Sequence, residues 1–376
     1  MDELVELSHR YGRDLLMVQG GGGNTSAKTG EDEMWIKASG CLLAEVSQDR
    51  GFVRVNLADI RAIMENRDLA RASPDERDEW VKDRMLAAVR TGHGQRPSIE
   101  TLLHALLPER LVVHTHPVLV LGLTCRRDGR DLAVQLFPDL PFTWVRYEKP
   151  GYPLAMAMAS ALKAPADGAA RAVFLENHGL IVSANQASDL VALTDRIINR
   201  LKQHFGHQEE NFAARHPDPI YGERLERALE RENAGDLDLP LVCTADTPMT
   251  RMLPRNPGLA AGLLRGALYP DHVVYLGHRP LEFHRDDDVT TVQSAWREFV
   301  QTHHYRPRYA LVDGEVLLLV GAHTADISNK RDMIDTQIRV LRLLDPDQAC
   351  YLNDTACATL LQWEWEKYRD QKLKTG

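Results

Sequence analysis

The sequence predicts an α/β chain of the layered α+β kind, and three observations carry that reading. Apolar runs with strand character and stretches with helical periodicity mix along the chain without regular strand–helix alternation. Glycine- and proline-marked turns separate them. The 376 residues exceed one average domain and suffice for two.

Leu4, Leu7, Tyr11, Leu15 and Val18 recur at helical spacing, so residues 3–18 read as an amphipathic helix. "QGGGGNTSAKTG" follows as a glycine loop, and "EMWIKASG" as a strand running into a second glycine turn. "DERDEWVKDRMLAAVR" forms a helix after the breaker Ser73-Pro74. "SIETLLHALLP" opens another, with Ser98 as N-cap and Pro108 as stop. "RLVVHTHP" and "AVFLENHGLIVSA" read as short apolar strands, and "QASDLVALTDRIINRLKQHF" as a long helix. Residues 207–240 are polar, charged and proline-bearing, the mark of a connector with one exposed helix. Beyond it "DHVVYLG" reads as a strand and "YALVDGEVLLLVG" as a hairpin turning at Asp313-Gly314. "DMIDTQIRVLRLL" and "CATLLQWEWEKYRD" are closing helices. No internal repeat is visible.

Composition narrows the class. Hydrophobic residues make up 44% and charged residues 26% of the chain, ordinary globular usage. A net charge of -9 argues against a general binder of nucleic acid or membrane surface. The five cysteines are scattered, with no CxxC pair to indicate a zinc ribbon or disulfide framework. The N-terminus lacks a signal-like apolar core and no run reaches transmembrane length, so a cytoplasmic location is expected.

The chemistry concentrates in a few stretches. In a strand, His114 and His116 point to one face while Thr115 points to the other, so their nitrogens can converge on an ion. Alone, such a pair serves packing more often than catalysis. "LENHGLIV" adds His178, with Gly179 leaving room beside the imidazole. A third imidazole completes a zinc site with an open position. Glu100, in the first turn of the helix after Ser98, is either an ordinary N-terminal charge or a base beside the metal. His104, one turn later, reads as a packed residue.

"GGGGNTSAK" does not fit a Walker loop and follows a helix, not the strand that a dinucleotide fingerprint needs. Its amides, with Asn24, Thr25 and Ser26, form either an anion-binding concavity or a flexible turn. In "WIKASG", Trp35, Lys37 and Ser39 share a face, and Lys37 either meets an anion or sits as a solvated edge-strand charge. His303, His304 and His323 lack convincing ligand spacing and read as structural or surface residues.

The order "GGGNTS", "KASG", "SIE", "HTHP", "NHG" resembles the class II aldolase/adducin family over about the first 215 residues. It is most similar to long members resembling the aldolase half of bifunctional rhamnulose-1-phosphate aldolase/dehydrogenase proteins, and no dehydrogenase half is read in these residues. The resemblance implies a three-layer α/β/α catalytic domain over 1–215 with a central, mainly antiparallel sheet. A linker over 216–240 and a smaller C-terminal α/β domain over 241–376 complete the expected organisation.

What the resemblance implies for the site follows residue by residue. His114, His116 and His178 would hold zinc or another divalent metal, and Glu100 would act as general base, with a raised pKa, and sometimes as a fourth ligand. Gly23, Asn24, Ser39, Gly40 and Ser98 match the phosphate pocket. Two positions depart from the pattern: Ile99 stands where many members have a second serine, and Gly21 where they have a threonine. Lys37 either compensates for the lost hydroxyls, or the pocket takes a carboxylate. The implied activity is retro-aldol cleavage of a ketose, in particular a ketose 1-phosphate, through a metal-stabilised enediolate. Tyr147 and Tyr152 are candidates for a second acid, a role often supplied in this family by a neighbouring subunit of a homotetramer. The alternatives are a sugar-acid decarboxylase, dehydratase or epimerase on the same site, and a metal-free, adducin-like assembly module.

Overall fold

A mixed eight-stranded sheet organises the first part of the chain. The computed structural model describes residues 1–91, 94–162, 170–206, 220–232 and 241–362. Contacts divide it into two units: residues 1–124 with 128–206, and residues 125–127 with the described residues from 220 on.

The first unit runs α1 (Asp2–Gly12), β1 (Asn24–Lys28), β2 (Glu33–Lys37), β3 (Phe52–Asn56), α2 (Leu57–Glu65), α3 (Pro74–Ala87), β4 (Val89–Thr91), α4 (Thr101–Leu106) and β5 (Leu111–Thr115). It continues with α5 (Val118–Thr124), α6 (Gly129–Leu136), β6 (Phe142–Val145), α7 (Tyr152–Ala161), β7 (Ala170–Leu175), β8 (Gly179–Ala184) and α8 (Ala187–Phe205). The strand order is β4-β3-β2-β1-β5-β8-β7-β6, antiparallel except for β6 beside β7. Apolar residues of α1, α5, α6 and α8 meet one face of the sheet in a single core. On the other side α4 packs with α2 and α7, and α3 packs on α2. Leu111 and Val113 of β5 belong to that core. By alternation Val112 and His114 therefore face the α4 side.

Several expectations need correction. The first helix stops at Gly12, not Val18: a Cβ there would lie 2.5 Å from the Ala44 nitrogen, so only glycine permits the close approach. Asp14 then turns the chain by accepting the Leu16 N–H on its side chain, and Leu15 stays exposed. "AVFLENHGLIVSA" is not one strand but the hairpin β7–β8, and its three-residue turn carries His178. Ser98 is not the helical N-cap. The helix begins at Thr101 after Glu100, while the Ser98 hydroxyl accepts the Glu100 N–H. The helix after Ser73-Pro74 starts as read, on a capping box with Glu76.

The second unit comprises α9 (Ile220–Glu232), β9 (Leu241–Thr244), α10 (Pro257–Arg265), α11 (Pro270–Leu276), β10 (Leu281–Phe283), α12 (Val289–His303), β11 (Tyr309–Val312), β12 (Val316–Gly321), α13 (Thr324–Leu343) and α14 (Asp354–Gln362). The helix read as exposed within the connector, α9, buries Leu225, Ala228 and Leu229 in this unit's core. "DHVVYLG" is the helix α11, started by Pro270 and ended at Gly277 with a φ of 80°. An apolar run of this length reads equally as strand. His323 and His304 take cap positions, at the start of α13 and the end of α12. The closing helix read to Asp370 is described only to Gln362, and its remainder lies outside the described residues.

A repeat does exist, although the sequence conceals it. The second sheet is ordered β10-β11-β12-β9. β9 is antiparallel to β12, β12 to β11, and β10 parallel to β11. In the first unit β5 is antiparallel to β8, β8 to β7, and β6 parallel to β7. Two helices, a strand, a helix, a hairpin and a long helix follow β5, and the same order follows β9 once a short 3-10 turn at Thr250–Arg255 is set aside. One shift in numbering carries the hairpin pair Leu175↔Gly179 onto Val312↔Val316 and Ala184 onto Gly321, and the partner of that last residue changes from Leu111 of β5 to Leu241 of β9. Under that shift the buried Leu190, Ile197 and Leu201 of α8 become the buried Ile327, Ile334 and Ile338 of α13. Among the described residues, no helix is long and apolar enough to cross a membrane.

Candidate metal centre

Three backbone devices bring the site together. The strand β5 leaves the sheet after Thr115, because the His116 N–H donates to the Met17 carbonyl (3.0 Å), not to a neighbouring strand. The turn of the β7–β8 hairpin places Asn177 at a φ of 52°, a left-handed position that asparagine tolerates. Gly179 lets the hairpin close on β5: a Cβ there would lie 2.4 Å from the Thr115 carbonyl oxygen and 2.9 Å from the His116 ring. The glycine inferred to give room beside the imidazole does so by direct approach.

His114, His116 and His178 are buried, and their ligand atoms lie within 4.8 Å of one another. The ring centroids are 4.7, 5.0 and 5.1 Å apart. His114 Nδ1 lies 3.0 Å from the Leu180 carbonyl, which can only accept, so that nitrogen carries the proton and Nε2 presents its lone pair. His114 Nε2 in turn faces His116 Nε2 at 2.9 Å and Glu100 Oε2 at 3.3 Å. His178 Nε2 lies 3.2 Å from Glu100 Oε1, and its Nδ1 has no hydrogen-bond partner. Lone pairs and a carboxylate converging in a buried site call for a cation. Three imidazoles with a carboxylate beside them are a donor set that suits zinc. Among the described residues, this is the one cluster of that kind.

Glu100 is buried, at 5% exposure. Burial alone would push its pKa up, but the adjacent imidazoles of His114 and His178 outweigh it and hold the carboxyl well below the usual range. The raised pKa expected of a general base is thus opposed by the two rings in contact with the carboxyl.

The anion-pocket candidates divide into two groups. Gly23, at a φ of 66°, turns the chain beside the His114 carbonyl. The Ser39 N–H donates to the Arg96 carbonyl (2.8 Å) and the Ser98 N–H to the Lys37 carbonyl (3.0 Å), so Lys37, Ser39 and Ser98 lie along one pair of extended segments. Gly40 turns away at a φ of 79°. Lys37 is buried at 3% exposure, with Nζ 3.4 Å from the Gly21 carbonyl. It is no solvated edge charge, since β2 lies between β1 and β3. Asn24 makes contacts that the sequence did not indicate. Its side-chain amide donates to Glu100 Oε2 (2.7 Å), and its side-chain oxygen meets His104 Nε2. His104, read as packing alone, is thus joined to the site. Its placement one helical turn after Glu100 was the available signal. Tyr152 opens α7 with the Arg77 guanidinium 5.7 Å above its ring.

Comparison with known proteins bears on this geometry. Residues 2–204 match the family model described as the class II aldolase and adducin N-terminal domain. An uncharacterized oxidoreductase of Bacillus subtilis (strain 168), YuxG, is 29% identical over 298 residues, covering 75% of this chain. The chain spans 42% of that relative's length. The N-terminal class II aldolase domain of a conserved Thermoplasma acidophilum protein shares 27% identity, over 55% of this chain and 93% of its own, with a TM-score of 0.47. L-Fuculose-1-phosphate aldolase from Thermus thermophilus shares 16%, over 54% and 94%, with a TM-score of 0.33.

Proposed function

Because this chain belongs to the class II aldolase and adducin family, we propose that it is a divalent-metal lyase that cleaves a ketose, in particular a ketose 1-phosphate. The observation that carries the reading is the buried cluster of His114, His116 and His178 with Glu100 3.2–3.3 Å away. Zinc held by the three histidines supplies Lewis-acid polarisation of a substrate carbonyl and stabilises negative charge that develops on its oxygen.

The chain's own residues do the rest. Lys37, Ser39 and Ser98, with the amides of the glycine turn at Gly23, hold the anionic end of the substrate. When the bond between the third and fourth carbons breaks, its electron pair passes into the carbonyl as an enediolate. The hydroxyl proton at the fourth carbon passes to the ionised Glu100 carboxylate, which yields the aldehyde. Glu100 delivers a proton to the third carbon, and in the reverse direction its carboxylate removes that proton. Its confinement between His114 and His178 keeps it beside the reacting carbon and away from bulk water.

Glu100→Gln provides the test. The variant should retain zinc and lose turnover by roughly 10²–10⁴-fold on the best substrate of a panel of ketose phosphates, ketoses and sugar acids. A near wild-type rate would show that the proton travels by another group. Turnover of a sugar acid alone would move the reading to a decarboxylase or dehydratase.

A further inference from the structure

The polar face of β1 does more than line a pocket. Asn24, Ser26 and Lys28 alternate onto the same side of the strand, and all three reach α4 or its end. Asn24 meets Glu100 and His104, Ser26 meets the His104 ring at 2.7 Å, and Lys28 Nζ lies 3.2 Å from the His104 carbonyl. Asn24, Ser26 and His104 are all buried, the last two at 0% exposure.

The direction of every hydrogen bond in this chain is settled by chemistry. An ionised carboxylate accepts only, so Asn24 turns its NH2 to Glu100 and its oxygen to His104. That oxygen also only accepts, so His104 Nε2 carries the proton. Burial keeps the imidazole neutral, its pKa pushed down to about 3, and Nδ1 therefore accepts from the Ser26 hydroxyl. Donation runs one way, from Ser26 through His104 and Asn24 to Glu100 Oε2. The link fixes the carboxylate's rotation, leaving Oε1 turned to His178 and Oε2 shared with His114.

We propose that His104 is a positioning residue for the general base: through Asn24 it locks the Glu100 carboxylate between His114 and His178, without touching the substrate. The inference rests on the reading of Glu100 as base. It also accounts for a strand whose polar residues are entirely buried, a costly arrangement unless each partner is satisfied.

The test measures proton transfer directly. Cleavage of a ketose 1-phosphate between its third and fourth carbons releases dihydroxyacetone phosphate. The zinc-loaded protein should therefore exchange one hydroxymethyl hydrogen of that compound with deuterium from solvent, followed by NMR. His104→Leu should lower the exchange rate by about 10²-fold, as expected for a misaimed catalytic group, with zinc content and KM unchanged. His104→Gln, which keeps a donor towards Asn24 and an acceptor towards Ser26, should recover most of that loss. In a Glu100→Gln background the leucine change should cost nothing further, whereas a purely structural role would lower both backgrounds alike. Should His104→Leu not fold, Ser26→Ala cuts the far end of the chain and should slow exchange about five-fold, the effect of one hydrogen bond. An unchanged rate in either folded variant, or equal loss in both backgrounds, overturns the positioning role while leaving Glu100 as base. A wild-type protein without exchange overturns both readings.

Discussion

At the scale of single residues the site depends on who shares space with whom. Lys37 lies in an interior strand at 3% exposure, where an ammonium is costly to keep without an anion or several acceptors. If it helps hold a substrate phosphate, Lys37→Met should weaken binding by roughly 1.5–3 kcal/mol, the range for hydrogen bonds to charged groups. The loss should appear in KM, because the phosphate is remote from the breaking bond and bound alike in ground and transition states. The unphosphorylated ketose should be indifferent to the change. Equal losses on both substrates would make Lys37 a structural cation and favour an unphosphorylated natural substrate. The three histidines and Glu100 were legible in the sequence because spacing on a strand and the flanking glycine constrain them. The links that join Asn24 and His104 to Glu100 were not legible, because hydrogen bonds between β1 and α4 have no periodic signature.

At the scale of elements, what positions the site is the β7–β8 hairpin closing against β5. Gly179→Ala would put a methyl carbon 2.4 Å from the Thr115 oxygen, so strand or hairpin must shift. The expected cost is about 1–3 kcal/mol of stability, with a measurable loss of zinc affinity because the displaced neighbour includes His116. An alanine variant with unchanged affinity in a zinc titration would show that the hairpin does not hold the ligand. The helix α11 offers an independent check in the second unit. Its His272 is fully buried near the rings of Tyr269 and Tyr309, and burial lowers its pKa from 6.5 to about 3. As pH falls below 6.5 the unfolded chain takes up a proton that the folded chain refuses until about pH 3, so stability is lost over that window. Between pH 6.5 and 5, denaturant melts should show wild type losing about 2 kcal/mol more than His272→Leu. Parallel pH curves for the two would sink the argument. This same helix was misread as a strand, since its short apolar run from Val273 to Leu276 fits either period and only the bracketing Pro270 and Gly277 distinguish them.

At the scale of the whole chain, the repeated sheet sets the number of metal sites. The antiparallel strands and long helices were legible from their periodicity, but the repeat was not, because what recurs is pairing and burial, not residue identity. The numbering shift that aligns the two hairpins carries His178 to Glu315. Through the register of β9 on β12 it carries His114 to Thr244 and His116 to Asp246. None of the three imidazoles recurs. Asp246 pairs instead with Arg251 at 2.6 Å and Glu315 with Arg285 at 2.7 Å, contacts that tie the second unit to its own cations. A half-copy of the first sheet thus keeps the architecture without the three imidazoles. The chain should accordingly bind one equivalent of zinc, and His114→Ala or His116→Ala should reduce it to none while the far-ultraviolet spectrum stays that of a folded protein. Removing one of three ligands in a buried site lowers affinity sharply, since the remaining imidazoles cannot complete the coordination shell. Metal analysis after gel filtration decides the matter. A second equivalent in the wild type, or one equivalent surviving in either alanine variant, would place a metal site where the repeat offers only Thr244, Asp246 and Glu315.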